Sequence, residues 1–483
     1  MQSRYTHPLD IPLTVEMPLG LCYLAAVLRA NGHQVKILDC LAEGYANKKI
    51  EGNKITYGIS DEEIIKRIRE FHPQVIGVSA LFTVQYENVK KLTKLIKTIE
   101  PKVITIVGGM HATIKPKEVL ADKNIDFILQ GESDYTLTEL INALENHQDY
   151  TKIDGLGYKS DDDIYINKKE KLIENLDQLP FPARELLPIE QYYKAGLAHS
   201  FIIKNKKNIN LITSRGCPAS CIFCTVHLMW GRKFRARSPE NVLAELEQIK
   251  NQFGAKHLQF EDDNLTFDIE RAKKIFQLMI KRKLNLKWTT PNGVAMWRMD
   301  QETLKLMKQS GCFYIKIAVE SGNQRVLSQV IKKPQRLDLM KPLIEYARKI
   351  KLKVGSFFVV GLPGETKQEM QESFDFPYHV KLDWAEYSMA TPHYGTELRQ
   401  ICLNNNFLVE HADADLYARN ALIDTPEFSA RWLKNKVLSE YKRYVLYLFL
   451  HQPLTLIFQG WEFLKRNPYF VINYLLKIFQ NKT

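Results

Sequence analysis

Between Pro18 and about residue 144, short apolar runs alternate with amphipathic segments along the chain. Such alternation predicts β-α units that build a parallel sheet covered by helices, in the manner of a small Rossmann-like domain. Ligands of such domains bind at the carboxyl ends of the strands. The pattern predicts helices over 20–30, from 61 onwards and over 86–98, and strands over 34–39, 75–81, 103–107 and 125–129.

The alternation returns between residues 208 and about 395, where six β-α units follow one another. Six units predict an open, partial (β/α)6 barrel, since the closed barrel of this kind has eight. Function in such barrels gathers on the loops that follow the strands. The predicted strands cover residues 209–213, 257–260, 286–290, 314–319, 354–360 and 384–389.

The length of 483 residues predicts more than one domain. We therefore expect an α/β protein with an N-terminal Rossmann-like domain over 1–145, a connector over 146–205, the barrel over 206–400 and a helical C-terminal region over 401–483. The composition, 45% apolar and 25% charged, is typical of a soluble globular protein. The N-terminus has no apolar signal core, and seven scattered cysteines make no disulfide framework, so we expect a cytoplasmic protein.

The formal charge of +12 is partly concentrated in residues 434–483, which hold eight Lys or Arg against two Glu, among eleven aromatic residues. No apolar run there reaches the roughly 18 residues that span a bilayer. Basic and aromatic residues around modest apolar segments favour peripheral contact with a membrane interface. A helical cap that packs on the barrel is the alternative. Nucleic acid is disfavoured as a partner, because no binding motif accompanies the charge.

Cys217, Cys221 and Cys224 form a C-x-x-x-C-x-x-C loop shortly after the first predicted barrel strand. Three thiolates at this spacing can bind three irons of one [4Fe–4S] cluster and leave the fourth iron open to another ligand. A structural zinc site needs four ligands, and His227 offers the fourth, so zinc stays an alternative. The remaining cysteines are scattered and are predicted to be buried or inert thiols: Cys22, Cys40, Cys312 and Cys402.

The cysteine loop, with Phe223 directly before its third cysteine, resembles the signature of the radical S-adenosylmethionine (SAM) enzymes. Further motifs at successive strand ends resemble those of the subfamily with an N-terminal cobalamin-binding domain: Glu261-Asp262-Asp263-Asn264, Glu320-Ser321-Gly322-Asn323, Gly361-Leu362-Pro363-Gly364-Glu365 and Thr391–Leu398. The similarity covers about residues 18–400. It implies a [4Fe–4S] cluster whose open iron chelates SAM, and reductive cleavage of SAM to a 5′-deoxyadenosyl radical.

The resemblance also implies which residues address SAM. Glu261, Asp262 and Asp263 take the place of a motif that binds the methionine amino group, and a solvated acidic loop is the alternative. Glu320 matches a carboxylate that hydrogen-bonds the ribose, with a structural salt bridge as the alternative. Gly361 begins a loop that passes by adenine. Phe223 shields the cluster or lies against adenine, unless it only packs.

In the N-terminal domain the resemblance implies a cobalamin site at the strand ends. Its candidate residues are Ser79, Gly108, Gly109, His111, Gly131 and Glu132. Glycine lets the backbone approach a bulky ligand, although a tight strand-to-helix turn also explains the glycine pair. The motif that supplies a histidine ligand to cobalt is absent, which implies cobalamin without histidine on its lower face. The first strand usual in such domains has no counterpart, which would leave a sheet edge open.

These features predict a cobalamin-dependent radical SAM enzyme that acts on an unactivated carbon. Methyl transfer is the preferred reaction, with ring formation or rearrangement as other outcomes of the subfamily. The alternative is a methylthiotransferase-like or tRNA-modifying radical SAM enzyme, which usually carries a second cysteine-rich domain that this chain lacks. The expected partners are a small-molecule or lipid-like substrate and a reductant such as flavodoxin or ferredoxin.

Overall fold

The N-terminal part of the chain folds around a five-stranded sheet. The structure is a computed structural model, and it describes residues 1–9, 13–161, 163–200, 202–410 and 420–453. Residues 1–200 and Leu228–Trp230 form the first of two units. Its strands are β1 (Tyr5–Pro8), β2 (Lys48–Glu51), β3 (Lys54–Tyr57), β4 (Val75–Ser79), β5 (Ile104–Gly108), β6 (Phe127–Leu129), β7 (Leu156–Ser160) and β8 (Asp163–Ile166). Its helices are α1 (Leu19–Ala30), α2 (Cys40–Glu43), α3 (Asp61–Phe71), α4 (Tyr86–Ile99), α5 (Met110–Ile114), α6 (Pro116–Leu120), α7 (Thr136–Glu145) and α8 (Ile189–Ala195).

The main sheet has the order β4-β5-β6-β7-β8, with β4 to β6 parallel and β7 and β8 antiparallel. Helices α3 and α4 share a core with Val78, Val107 and Ile128 on one face. Helices α1 and α7 share a second core with Ile106 and Phe127. The predicted α/β layering is confirmed. Strands β7 and β8 lie in the segment expected to be a connector, and they extend this sheet.

The edge of the sheet at β4 is bridged at one position by the N-terminal segment. Gln2 forms parallel bridges with both Ser79 and Asp39, and its backbone nitrogen donates to the carbonyl oxygen of Leu38 at 3.0 Å. The expected open edge is therefore partly covered. The predicted strand over 34–39 is wrong, because within the described ranges only Asp39 finds a bridging partner. The Asp39 carboxylate instead caps α2 by accepting from backbone nitrogens.

The second unit comprises residues 202–227 and 231–453 within the described ranges. Its strands are β9 (Asn208–Leu211), β10 (Ser214–Arg215), β11 (Arg235–Ala236), β12 (His257–Phe260), β13 (Lys287–Val294), β14 (Cys312–Glu320), β15 (Lys353–Val360) and β16 (Trp384–Met389). Its helices are α9 (Val226–Trp230, which ends in the first unit), α10 (Pro239–Phe253), α11 (Ile269–Lys281), α12 (Gln301–Ser310), α13 (Leu337–Lys349), α14 (Lys367–His379), α15 (Glu397–Asn404) and α16 (Ala430–His451).

Six parallel strands form one sheet in the order β9-β12-β13-β14-β15-β16, which confirms the partial barrel. Each of the six strands begins within two residues of its predicted start. Alternate side chains of these strands are apolar and fully buried, as Leu258, Ile315 and Val354 show. The side chains that face the helices are apolar, so apolar residues recur at every second position of each strand. This period of two in the sequence therefore located the barrel strands.

Helix α16 packs on the barrel with one face. Leu433, Val437 and Tyr444 on that face are buried, and the Tyr444 hydroxyl donates to the carbonyl oxygen of Leu382 at 2.8 Å. For this face of α16, the alternative of a helical cap that packs on the barrel therefore holds. Residues 454–483 of the tail lie outside the described residues. Within the described ranges, no helix is long and apolar enough to cross a membrane.

Candidate active site

The three cysteines lie on the loop between β10 and α9. The short antiparallel pair of β10 and β11 frames the start of this loop. Gly216 has φ 85°, and a Cβ atom there would lie 2.4 Å from the carbonyl oxygen of Lys233, so only glycine fits. Midway along the loop, the backbone nitrogen of Ile222 donates to the carbonyl oxygen of Ile331 at 3.1 Å. The loop is thus held at its start and at its middle.

The three thiols lie on one loop, and Cys221 is buried. Burial raises the pKa of Cys221 to about 12 and that of Cys224 to about 11. A bound metal centre would have to stabilise the thiolate forms of both side chains. In a [4Fe–4S] cluster each of the three thiolates would bind a different iron.

Asp262 supports the backbone that leads into the cysteine loop. Its carboxylate is buried and accepts from the backbone nitrogen of Thr213 at 3.1 Å, from the Thr213 hydroxyl at 2.6 Å and from the Ser214 hydroxyl at 2.5 Å. These three donors occupy the carboxylate. The structure therefore places Asp262 behind the loop, where it positions β10.

Asp263 and Asn264 offer acceptors beside the cluster loop. The Asn264 side-chain nitrogen lies 3.8 Å from the Cys217 sulfur. Oδ2 of Asp263 and Oδ1 of Asn264 are buried, and neither has a hydrogen-bond partner within the described structure. Burial, with Asp262 nearby, raises the pKa of Asp263 to about 7. Buried polar atoms are rarely left unpaired, so these two oxygens fit the ammonium group of a bound SAM.

Glu320 pairs with Lys333, a residue that the sequence motifs did not indicate. The Lys333 ammonium donates to Oε1 of Glu320 and to the carbonyl oxygen of Ala318, both at 2.8 Å. Burial opposes the charged form of Lys333, but Glu320 and then Cys221 outweigh it and raise its pKa. The salt-bridge alternative for Glu320 is thus present in the structure. Lys333 lies between Lys332 and Pro334, and this polar local sequence gave no signal of its burial.

Glu365 closes the loop that starts at Gly361. Oε2 of Glu365 accepts from the backbone nitrogens of Gly361 at 2.8 Å and Leu362 at 3.1 Å. Burial raises the pKa of Glu365 to about 8, although the two backbone hydrogen bonds favour its carboxylate form. Gly361 has φ 83°, which favours glycine.

Phe223, which directly precedes Cys224, is half-buried. Its predicted role beside the cluster or adenine stays a prediction.

In the first unit, the predicted glycines lie at the carboxyl ends of the parallel strands. A Cβ atom on Gly109 would lie 2.9 Å from the carbonyl oxygen of Ala80, so the tight turn by itself requires this glycine. A Cβ atom on Gly108 would approach nothing closer than 3.6 Å. Ser79 pairs with Gly108 in register, and Gly131 follows β6 with φ 59°. Ser79, Gly108 and Gly131 therefore share one edge of the sheet.

His111 and Glu132 are engaged in packing of their own unit. The His111 ring lies 4.1 Å from the Tyr86 ring, its Nδ1 atom is 3.2 Å from the Thr83 hydroxyl, and burial lowers its pKa to about 4. Oε2 of Glu132 accepts from the backbone nitrogen of Ile173 at 2.7 Å. Binding of cobalamin by either side chain stays a prediction.

Three exposed apolar side chains at the strand ends were missed in the sequence. Leu81 and Phe82, directly after β4, are 47% and 55% exposed, and Tyr135, shortly after β6, is 43% exposed. They follow β4, which ends at Ser79, and β6, which precedes Gly131, at the edge of the sheet where ligands of such domains bind. Contact of these apolar side chains with cobalamin stays a prediction. The available signal was Phe82, a large apolar residue directly after the predicted strand over 75–81, where polar turn residues are usual.

Comparison with known proteins supports both halves of this description. Residues 13–141 match the family model of the B12 binding domain, and residues 211–376 match that of the radical SAM superfamily. The chain is 36% identical over 421 residues to cytidylyl-2-hydroxyethylphosphonate methyltransferase of Streptomyces wedmorensis, covering 81% of this chain and 78% of that protein. It is 31% identical over 400 residues to an uncharacterized methyltransferase of Pyrococcus horikoshii, covering 82% and 80%.

A solved structure shows the same fold. The radical SAM methyltransferase TsrM of Kitasatospora setae, with tryptophan and a SAM analog bound, superposes with a TM-score of 0.64. It is 16% identical, over 82% of this chain and 74% of that one, so the likeness concerns the fold alone. The chain is therefore an enzyme that uses a [4Fe–4S] cluster, SAM and cobalamin, and it belongs to the members of the radical SAM superfamily that carry a B12-binding domain.

Proposed function

We propose that the protein transfers a methyl group to an unactivated carbon of a small molecule. The observation that carries this proposal is the cysteine loop with the unpaired oxygens of Asp263 and Asn264 beside it. The methyltransferase relatives support methyl transfer over a methylthiotransferase. The latter would need a second cysteine-rich site, and the four other cysteines are scattered and buried.

The chain's own residues contribute mainly by holding SAM and by keeping the loops around it in place. When bound, the cluster, SAM and cobalamin supply the radical and the methyl group. Oδ2 of Asp263 and Oδ1 of Asn264 accept from the SAM amino group, while Asp262 keeps the preceding loop in place. Glu365 orders the Gly361 loop by accepting from the backbone nitrogens of Gly361 and Leu362. The reductant is a small electron carrier such as flavodoxin or ferredoxin.

Methyl transfer is tested with anaerobically reconstituted protein, cobalamin, a reductant and [methyl-2H3]SAM. We expect formation of 5′-deoxyadenosine and transfer of three deuterium atoms into a product, measured by mass spectrometry. The first compound to test is cytidylyl-2-hydroxyethylphosphonate, which is named as the substrate of the Streptomyces relative. Substrate consumption with 5′-deoxyadenosine but without deuterium transfer would instead indicate ring formation or rearrangement.

We also propose that α16 makes peripheral contact with an anionic membrane from the cytosol. The side of α16 that faces away from the barrel carries Leu438, Leu446 and Phe449, which are 51%, 58% and 56% exposed. Lys434 and Lys442 are exposed on the same side, and the only acid within this helix, Glu440, is buried. Apolar and basic side chains together suit the interface of an anionic bilayer.

Changing Leu446→Glu together with Phe449→Glu is expected to release the protein from vesicles of phosphatidylcholine and phosphatidylserine. The double change removes apolar burial and adds two repelled charges, and co-sedimentation measures binding. Leu339→Glu with Leu403→Glu is the matched control, because both leucines are exposed on other helices. Equal binding by both double variants, or no binding by the wild type at low salt, would contradict the membrane proposal.

A further inference from the structure

The six-stranded sheet of the second unit carries polar side chains on the face turned away from its helices. Side chains alternate between the two faces of a strand, so the neighbours of the apolar helix-facing residues point to the opposite face. Asn210 and Gln259 pair in register on that face, and both are buried. Thr289 on β13 is buried there too. The interior of the partial barrel is therefore polar where a lipid-binding cavity would be apolar.

An ion pair lies on the same face of the sheet. The Lys316 ammonium lies 2.7 Å from Oε1 of Glu386, and it lies 4.4 Å from the centre of the Phe357 ring. The Lys316 side chain is only 7% exposed, and that of Glu386 is 26% exposed. Strand β15, which carries Phe357, lies between the strands of the two charged residues.

This pair is separate from the strand-end motifs that address SAM. Lys316 precedes Glu320 by four residues on β14, which places it roughly 13 Å further from the carboxyl end of the strand. Stability does not account for the pair, since apolar residues of similar volume stabilise an interior as well as a buried ion pair does. A ligand that hydrogen-bonds to both charges does account for it.

We propose that Lys316 and Glu386 bind the substrate and determine its class. The substrate is then a polar, water-soluble small molecule, with an anionic oxygen for Lys316 and a hydroxyl or amine for Glu386. The Phe357 ring covers an apolar part of the same molecule. A lipid-like substrate is disfavoured, because a hydrocarbon chain against this pair would exclude water from both charges and offer no hydrogen bond in return. This inference rests on the proposed methyl transfer and specifies its substrate.

The test uses extract of the source organism, separated into a water-soluble and a chloroform-soluble fraction. Each fraction is incubated with reconstituted protein and [methyl-2H3]SAM, and deuterated products are sought by mass spectrometry. We expect label in the water-soluble fraction. Lys316→Met should lower this labelling about tenfold or more, as expected for loss of a charged hydrogen bond, and Lys316→Arg should restore part of it.

Lys273→Met is the matched control. Lys273 lies 2.7 Å from Asp300, and its side chain is 10% exposed, so it resembles Lys316 in pairing and burial but belongs to helix α11. Its loss should leave labelling unchanged. Iron content and thermal unfolding verify that each variant is folded.

Two outcomes would overturn the inference and leave methyl transfer standing: label in the chloroform-soluble fraction, or water-soluble labelling that Lys316→Met does not reduce. Absence of label in both fractions, while SAM is still cleaved, would overturn methyl transfer and the inference with it.

Discussion

Replacement of Cys217, Cys221 or Cys224 by alanine is expected to abolish SAM cleavage. Each thiolate binds a different iron, so the loss of one removes an essential ligand of the cluster. Anaerobically reconstituted wild-type protein should hold about four irons at this site. Iron analysis and chromatographic measurement of 5′-deoxyadenosine check both expectations.

Cys312→Ala is the control for the cysteine variants. Cys312 is 1% exposed on β14, and its thiol donates to the carbonyl oxygen of Tyr314 at 3.6 Å. Its replacement leaves a small cavity and should cost about 1–2 kcal/mol of stability, with iron content unchanged. Tight stoichiometric zinc in the wild type, without iron-dependent SAM cleavage, would refute the cluster assignment.

Lys333→Met is expected to lower the free energy of unfolding by about 3–5 kcal/mol. The change leaves the Glu320 carboxylate, with a side chain only 10% exposed, without its cation, and breaking a buried pair on one side is costly. Urea unfolding measures the loss. Adding Glu320→Gln to Lys333→Met should restore most of the stability, because the unpaired charge is then removed. A loss below about 1 kcal/mol would indicate that the pair is solvated in solution.

The same variants separate the two interpretations of Glu320. If Glu320 only balances Lys333, the double variant binds SAM like the wild type. If its carboxylate also hydrogen-bonds the ribose, Glu320→Gln weakens SAM binding even where stability is restored. Equilibrium dialysis of reconstituted protein with SAM distinguishes these outcomes.

The sequence by itself determined the parts of this protein that depend on local spacing. The cysteine loop was recognisable because three thiols at short intervals must lie close together on one loop. The barrel strands were recognisable because their apolar side chains alternate with a period of two. Domain boundaries and the individual roles of the SAM and cobalamin residues stay predictions, since motif spacing does not show which atoms are available to a ligand.

The tertiary structure alone decided which polar groups are already occupied. Thr213 and Ser214 engage Asp262, and Lys333 engages Glu320, although these partners are distant in sequence. The segment over 34–39 was predicted to be a strand, yet its only β-bridge within the described ranges joins Asp39 to Gln2. Strand pairing and buried ion pairs both require a partner from elsewhere in the chain. Hydrophobic periodicity predicts that a residue is buried, but it does not identify the residue that it contacts.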